Sequence, residues 1–257
     1  MSQPSLQTTD RTRLRRKAKR GSHDRETVAA ILDAGLICHV GFSVDGRPWV
    51  FPTTYARVRE EIYLHGAVGN FALRTLAGGA EVCVTVTVVD GVVLARSAFH
   101  HSMNYRSVML FGVAEPVTDE AEKREALLAI VDHMAPGRSA DSRPPTAEEL
   151  RSTLVLRLPI TEGSAKVRTG PPIDDEVDMA LPHWAGVLPL RLVPGTPIPD
   201  LAGPEPSGSG GSSGSSGSAG SSGSAGSSGA AGTTRPAALT TPSYLTAWAV
   251  LRAADAP

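Results

Sequence analysis

The stretch "EVCVTVTVVDGVVLARSAFHHSMNYRSVMLFG" runs from Glu81 to Gly112. Two valine-rich runs flank Asp90-Gly91, a dipeptide that favours tight hairpin turns, so "EVCVTVTVV" and "VVLARSAF" read as a β-hairpin. A further apolar run, "SVMLFGVAEPV", reads as the next strand. Between the last two runs lies a polar knot holding His100, His101, Ser102, Asn104, Tyr105 and Arg106. Such a knot could be a metal site, a catalytic site, a ligand clamp or a solvated turn. Successive strand side chains point to opposite faces, and no carboxylate or Cys lies nearby in sequence, so no metal is expected there. No nucleophile elbow is present either.

Working outward, the same strand periodicity recurs. "LICHVGFSV" is followed by "DGRP", a second hairpin-type turn, and then by "WVFPTTYARV" and "IYLHG". With the runs above, about six short and mostly antiparallel strands are expected, which argues a barrel or sandwich. The fold class is mainly β with peripheral helices. "HDRETVAAILDAG" reads as a helix with Asp24 as N-cap, an apolar stripe of Val28, Ile31 and Leu32, and a stop at Gly35. "NFALRTLAGG" reads as a short helix capped by Asn70, and "TDEAEKREALLAIVDHMAPG" as a longer one with acids in its first turn. "TAEELRST" carries a capping box from Thr146 to Glu149. "LVLRLPI" returns to strand, and the Pro-broken "GPPIDDEVDMALPHWAGVLPLRL" is expected to wrap the outside.

The domain plan has four parts: a basic flexible arm over 1–22, a globular domain over 23–200, a Gly/Ser-rich linker over 201–235 and a tail over 236–257. The linker cannot bury a core, and its composition implies a coil with a mean reach of roughly 30 Å. The tail spaces Tyr244, Leu245, Trp248 and Leu251 as a weak docking helix would, but one short helix is marginal alone. The arm, "RTRLRRKAKRGSHDR", is either a solvated segment or a clamp for a phosphate or an acidic partner.

Of 257 residues 41% are hydrophobic, and the formal net charge is −1, which argues against nucleic acid as the partner. Cys38 and Cys83 sit in apolar runs without CxxC spacing, which fits buried hydrophobes better than a redox pair or zinc ligands. The N-terminus lacks the apolar core of a secretory signal, and no run approaches the roughly 20 apolar residues of a membrane span. A cytoplasmic protein is expected.

Two more stretches bear chemistry. In "IYLHGAVGNFALRTL" a strand ends, a Gly-bearing turn follows and a helix opens at Asn70, with Arg74 one turn in. That arrangement aims free backbone N–H groups and a cation at one point, suiting a phosphate. Equally, it could be a strand–helix connection with a surface Arg. In "GRPWVFPTTYARV", Pro52 cannot donate to a central ladder and marks an edge or bulge. Thr53 and Thr54 add hydroxyls there.

Together, "GRPWVFPTTYARVREEIYLHGAVGN", "VCVTVT" and "FHHSMNYRSVMLFGVAEPV" resemble the pyridoxamine 5'-phosphate oxidase-like flavoproteins, in particular the branch that includes nitroimidazole-resistance proteins. The resemblance spans roughly Arg13 to Leu192. It implies a split β-barrel homodimer that binds FMN between its subunits. It also implies an oxidoreductase that passes electrons from a reduced nicotinamide or similar donor to a small-molecule substrate. By this resemblance Val50, Phe51, Pro52, Thr53 and Thr54 lie along the isoalloxazine. His65, Gly66, Ala67, Val68, Gly69 and Asn70 hold the ribityl chain and phosphate, with Arg74 as the phosphate cation and Arg106 or Lys166 in reserve. The knot residues His100, Asn104, Tyr105, Arg106 and Ser107 meet the flavin, and Trp184 lies near the cofactor or the dimer seam. If strand alternation persists to the tip, His101 shares the face of Phe99 and is the expected catalytic residue, with His100 on the face of Arg96. The oxidases proper carry a Ser-Arg-Lys cluster where this chain has Ala67–Asn70, which points away from vitamin B6 oxidation. Two rival readings are a haem-binding barrel ligated by His65, His100 or His101, and a non-catalytic flavin-binding or regulatory protein.

Overall fold

A computed structural model describes residues 5–199 and 241–245. The linker expected over 201–235, and Trp248 and Leu251 of the tail, lie outside these described residues. The helices are α1 (Arg25–Ala34), α2 (Phe71–Ala77), α3 (Glu120–Met134) and α4 (Ala147–Ser152). The strands are β1 (Gly21–Ser22), β2 (Ile37–Val44), β3 (Arg47–Val58), β4 (Glu61–Ala67), β5 (Glu81–Leu94), β6 (Ser102–Val113), β7 (Glu115–Pro116), β8 (Thr153–Pro159), β9 (Glu162–Arg168) and β10 (Gly186–Pro189).

Nine strands form one antiparallel path, β1-β9-β6-β5-β2-β3-β4-β8-β7, and β10 adds to the far part of β5. The path curls on itself. Leu110 of β6 and Leu156 and Leu158 of β8 share one core with Val40, Tyr55, Leu64 and Val84. Helix α1 plugs this split barrel with the predicted Val28, Ile31 and Leu32, and Asp24 caps it by accepting from the Thr27 amide at 2.8 Å. Tyr55 is fully buried, and its hydroxyl donates to the Leu32 carbonyl at the end of α1. Helix α3 covers the outer face of β3 and β4, where Ala56, Tyr63, Val117, Ala126, Ile130 and Val155 make a second apolar cluster. No helix among the described residues is long and apolar enough to cross a membrane.

The two Asp-Gly pairs behave differently. Asp45 and Gly46 adopt φ of 50° and 74°, the left-handed pair of a tight hairpin turn. Asp90-Gly91 is no turn: β5 continues through it, and both valine runs pair with β6. The register slips between Val89 and Gly91, leaving Asp90 as a bulge. Gly91 is needed for close approach, since a Cβ there would meet the Leu188 carbonyl of β10 at 3.0 Å. The hairpin that holds the polar knot is therefore β5–β6.

The arm is packed rather than free from residue 5 onward. Leu6 is 2% exposed and belongs to the main core. The Leu6 amide donates to the His23 carbonyl and the Gln7 amide to that of Thr161. Arg11 forks onto the Glu162 carboxylate, and β1 pairs with Ala165 and Lys166 of β9. Leu6 stands ahead of the basic run without a periodic pattern around it, which is why the composition reads as solvated. Lys166 lies within a strand and not in a loop after one. Gly163, Ser164 and Ala165 hide its β character, yet their small size lets β9 lie against β6 and the arm.

Candidate functional site

The barrel opens between β3 and β4. Strand β3 pairs with β2 from Arg47 to Thr54, but with β4 only from Tyr55 to Val58. Beyond Leu64, β4 turns to β8, which pairs with it as far as Ala67. The β3 segment from Val50 to Thr54 thus has a strand on one side only, facing the turn from His65 to Asn70. Val50 and Pro52 are exposed, and Phe51 packs on the core. The Asn70 side chain caps α2 by accepting from the Leu73 amide at 3.1 Å. A Cβ at Gly66 would meet Leu73 at 2.7 Å, whereas one at Gly69 would meet nothing within 4 Å. Arg74 points to solvent on a helix of only seven residues. Trp49 and Phe71 bridge one end of the opening at 5.4 Å between ring centroids. These residues lie along one opening. They offer an edge-on backbone, an open glycine and a cation beside a partly apolar slot.

The knot is built differently from the expected alternating strand. A 3₁₀ turn over Ala98–His100 breaks the alternation, with the Ser97 side chain accepting from the Phe99 amide. Phe99 is 88% exposed, so it defines no apolar face for His101 to share. Nε2 of His100 lies 3.1 Å from a carboxylate oxygen of Asp175, and Asp178 completes a group whose ligand atoms all fall within 4.8 Å. Asp175 comes from 75 residues further along the chain, out of reach of any local motif. Nδ1 of exposed His101 sits 3.0 Å from the Ser97 carbonyl. A carbonyl can only accept, so Nδ1 carries the proton and neutral His101 presents the lone pair of Nε2 outward. His65 is largely buried within β4, its Nδ1 has no partner, and burial pushes its pKa down.

The remaining residues divide. Arg106 is not free for a phosphate. It forks onto Asp90 at 2.8 and 3.0 Å, and this pair lines a cavity of about 830 Å³ with Ile37, Val88, His133 and Leu192. Register sets Tyr105 opposite Arg168 and Ser107 opposite Lys166, and Asn104 accepts a hydrogen bond from Arg168. Trp184 is exposed and folds back on Gly186, where a Cβ would meet its ring at 2.7 Å. Within one chain the Trp49 end of the opening stands far from Arg168. Trp49 lies across from Phe42 and hence from Val82, while Arg168 lies across from Tyr105 and hence from Val89. The seven-residue step from Val82 to Val89 spans roughly 23 Å at about 3.3 Å per residue. Arg168 was not singled out from the sequence, since it ends a strand without a motif around it. Burial raises the pKa of both thiols, Cys38 up to about 12, which removes them as nucleophiles at neutral pH.

The family model for pyridoxamine 5'-phosphate oxidase matches residues 24–167. The chain belongs to this family. The solved flavocytochrome Anf3 from Azotobacter vinelandii is 44% identical, with a TM-score of 0.71 over 77% of this chain and 94% of that one. The FAD- and haem-binding protein from Mycobacterium smegmatis is 40% identical, with a TM-score of 0.69 over 71% of this chain and 90% of that one. A Bacteroides thetaiotaomicron protein assigned to 5-nitroimidazole antibiotic resistance is 26% identical over 57% of this chain and 86% of its own, with a TM-score of 0.49. No curated protein sequence matches. Family and fold thus agree with the resemblance drawn from the opening motifs.

Proposed function

We propose that this protein is a flavin-dependent oxidoreductase acting on a small molecule. The observation that carries the reading is the one-sided β3 segment Val50–Thr54 facing the His65–Asn70 turn, in a chain of this family. Backbone groups along β3 would bind the edge of a flat heterocycle, and Gly69 leaves room beside it. The flavin would supply hydride or single-electron transfer. The protein's part is to orient the ring, exclude water from one face and place His101 Nε2 as a proton acceptor at the site. We take FMN as the flavin that the slot requires at minimum. A homodimer would unite the groups that one chain keeps apart, and exposed Ile37, Val50 and Met109 on the outer sheet face suit such a seam.

A second reading, that the protein also holds haem, is favoured by the two relatives at 44% and 40% identity, one a flavocytochrome and the other FAD- and haem-binding by name. Of the three histidines, His101 would best hold the haem iron, because its Nδ1 is already occupied by a backbone carbonyl. Absorbance of the purified protein, with mass spectrometry of the released ligands, tests both readings. Flavin bands alone support the first, and flavin bands with a Soret band support the second. A colourless protein that takes up neither FMN nor FAD on titration rejects both.

A further inference from the structure

Arg168 is 5% exposed, yet every group that its guanidinium donates to is neutral. Nη1 donates to the Asn104 side-chain oxygen and to the Gly170 carbonyl, and Nη2 donates to the Pro171 carbonyl at 3.2 Å. Its Nε is buried without a partner. Among the described residues it forms no ion pair with a carboxylate. An arginine keeps its charge in proteins, and a buried charge without a counter-charge is costly.

The surroundings add positive charge. Arg20 ends a 3₁₀ turn over Ala18–Arg20 and leads into β1, which pairs Gly21 with Lys166 two residues before Arg168. Burial first, and the nearby charge of Arg20 next, push the Arg168 pKa down. Neither Arg20 nor Lys166 has an ion-pair partner among the described residues, nor do Arg15, Arg16, Lys17 or Lys19 before them. The fold therefore carries the basic arm to a place where a cation already lies buried and uncompensated. Arg20 and Arg168 both fall just outside the segment matched by the family model, 24–167.

We propose that Arg20 and Lys166, backed from beneath by Arg168, form an anion site that takes the phosphate of a phosphorylated ligand, with the arm as its clamp. Arg20 and Lys166 make the contact, and Arg168 acts through its field. Ser107 and Tyr105, opposite Lys166 and Arg168 on β6, line its floor. The flavin phosphate is already given to the turn before α2 with Arg74, so the ligand of this site is a separate phosphorylated molecule such as a nicotinamide dinucleotide donor.

The test uses the full chain and titrates inorganic phosphate, FMN and riboflavin in turn by calorimetry. Wild type should bind inorganic phosphate saturably, and Arg20→Ala should weaken it at least tenfold without lowering the melting temperature in phosphate-free buffer. If Arg20→Ala weakens FMN tenfold but leaves riboflavin unchanged, the phosphate is the flavin's, and the proposal of a site for a separate ligand is overturned. If FMN and riboflavin are both unaffected while phosphate binding falls, the phosphate belongs to a separate ligand. Lys166→Ala gives a second variant that keeps the buried charge in place and should show the same loss. Phosphate binding that is absent, unsaturable or equal in wild type and both variants overturns the proposal. Failure of the protein to bind any flavin, with phosphate binding still dependent on Arg20, would remove the flavin reading and leave the anion site standing.

Discussion

Two neighbouring histidines end in different chemistry because a 3₁₀ turn ends between them. His100 is tied to Asp175, whereas His101 gives its Nδ1 proton to the Ser97 carbonyl and turns Nε2 outward. His101→Ala should therefore lower the rate of flavin reduction or of substrate turnover by about 10²-fold or more, the usual worth of a positioned acid–base group. His100→Ala should leave that rate within about threefold and loosen only the loop that carries Asp175. Stopped-flow reduction of both variants decides this, and equal rates would reassign His101 to the turn. Arg74→Ala is expected to weaken FMN about tenfold or more, since one charge-assisted hydrogen bond contributes about 1.5–3 kcal/mol. Flavin titration of a variant that keeps its melting temperature reads this directly.

Elements were legible where local chemistry decided them. Asp24, Asn70 and Thr146 cap the helices they were expected to cap. The turn at Asp45-Gly46 needed positive φ and has it. The same dipeptide at Asp90-Gly91 misled, because a strand partner on each edge overrides a local turn preference. The site was legible as separate motifs, but the tie of His100 to Asp175 and the burial of Arg168 arise from contacts far apart in sequence. The arm shows the same limit, since part of its attachment is to Glu162, 151 residues further along the chain than Arg11. Hydrogen bonds from Arg11, and then from Thr9, hold the Glu162 carboxyl down at about 2. Its folded pKa is depressed, so its contribution is complete above the ordinary value of 4.5 and fades as pH falls from there toward 2. Glu162→Gln should speed exchange of the Leu6 and Gln7 amides at pH 7, and wild type should approach the variant as pH falls through that window. Identical exchange at pH 7 would mean that Leu6 alone holds the arm.

At the scale of the whole molecule, the question is what the C-terminal segment adds to a barrel that already closes its own core. Tyr244 rests beside Gly137, whose φ of 86° lies in the left-handed region; a Cβ at Gly137 would lie in ordinary contact with the Tyr244 Cβ, at 3.5 Å. Its hydroxyl donates to Asp141 at 2.8 Å and accepts from Arg138 at 3.0 Å. These partners lie just past the end of α3, on the surface and away from both core clusters. Exposed polar contacts of this kind contribute about 0–1 kcal/mol. In a domain of this size, about 1 kcal/mol shifts the melting temperature by roughly 2–4 °C. Deleting residues 203–257 should therefore lower the melting temperature by no more than roughly 4 °C, and flavin uptake and oligomeric state should match the full chain. Tyr244→Phe should reproduce most of that small shift, because it removes both hydrogen bonds and keeps the ring beside Gly137. Calorimetry and light scattering on the two variants check this. Loss of flavin or of the oligomer on truncation, with Tyr244→Phe unchanged, would mean that the segment beyond residue 203 supports the site by a route other than the Tyr244 contact.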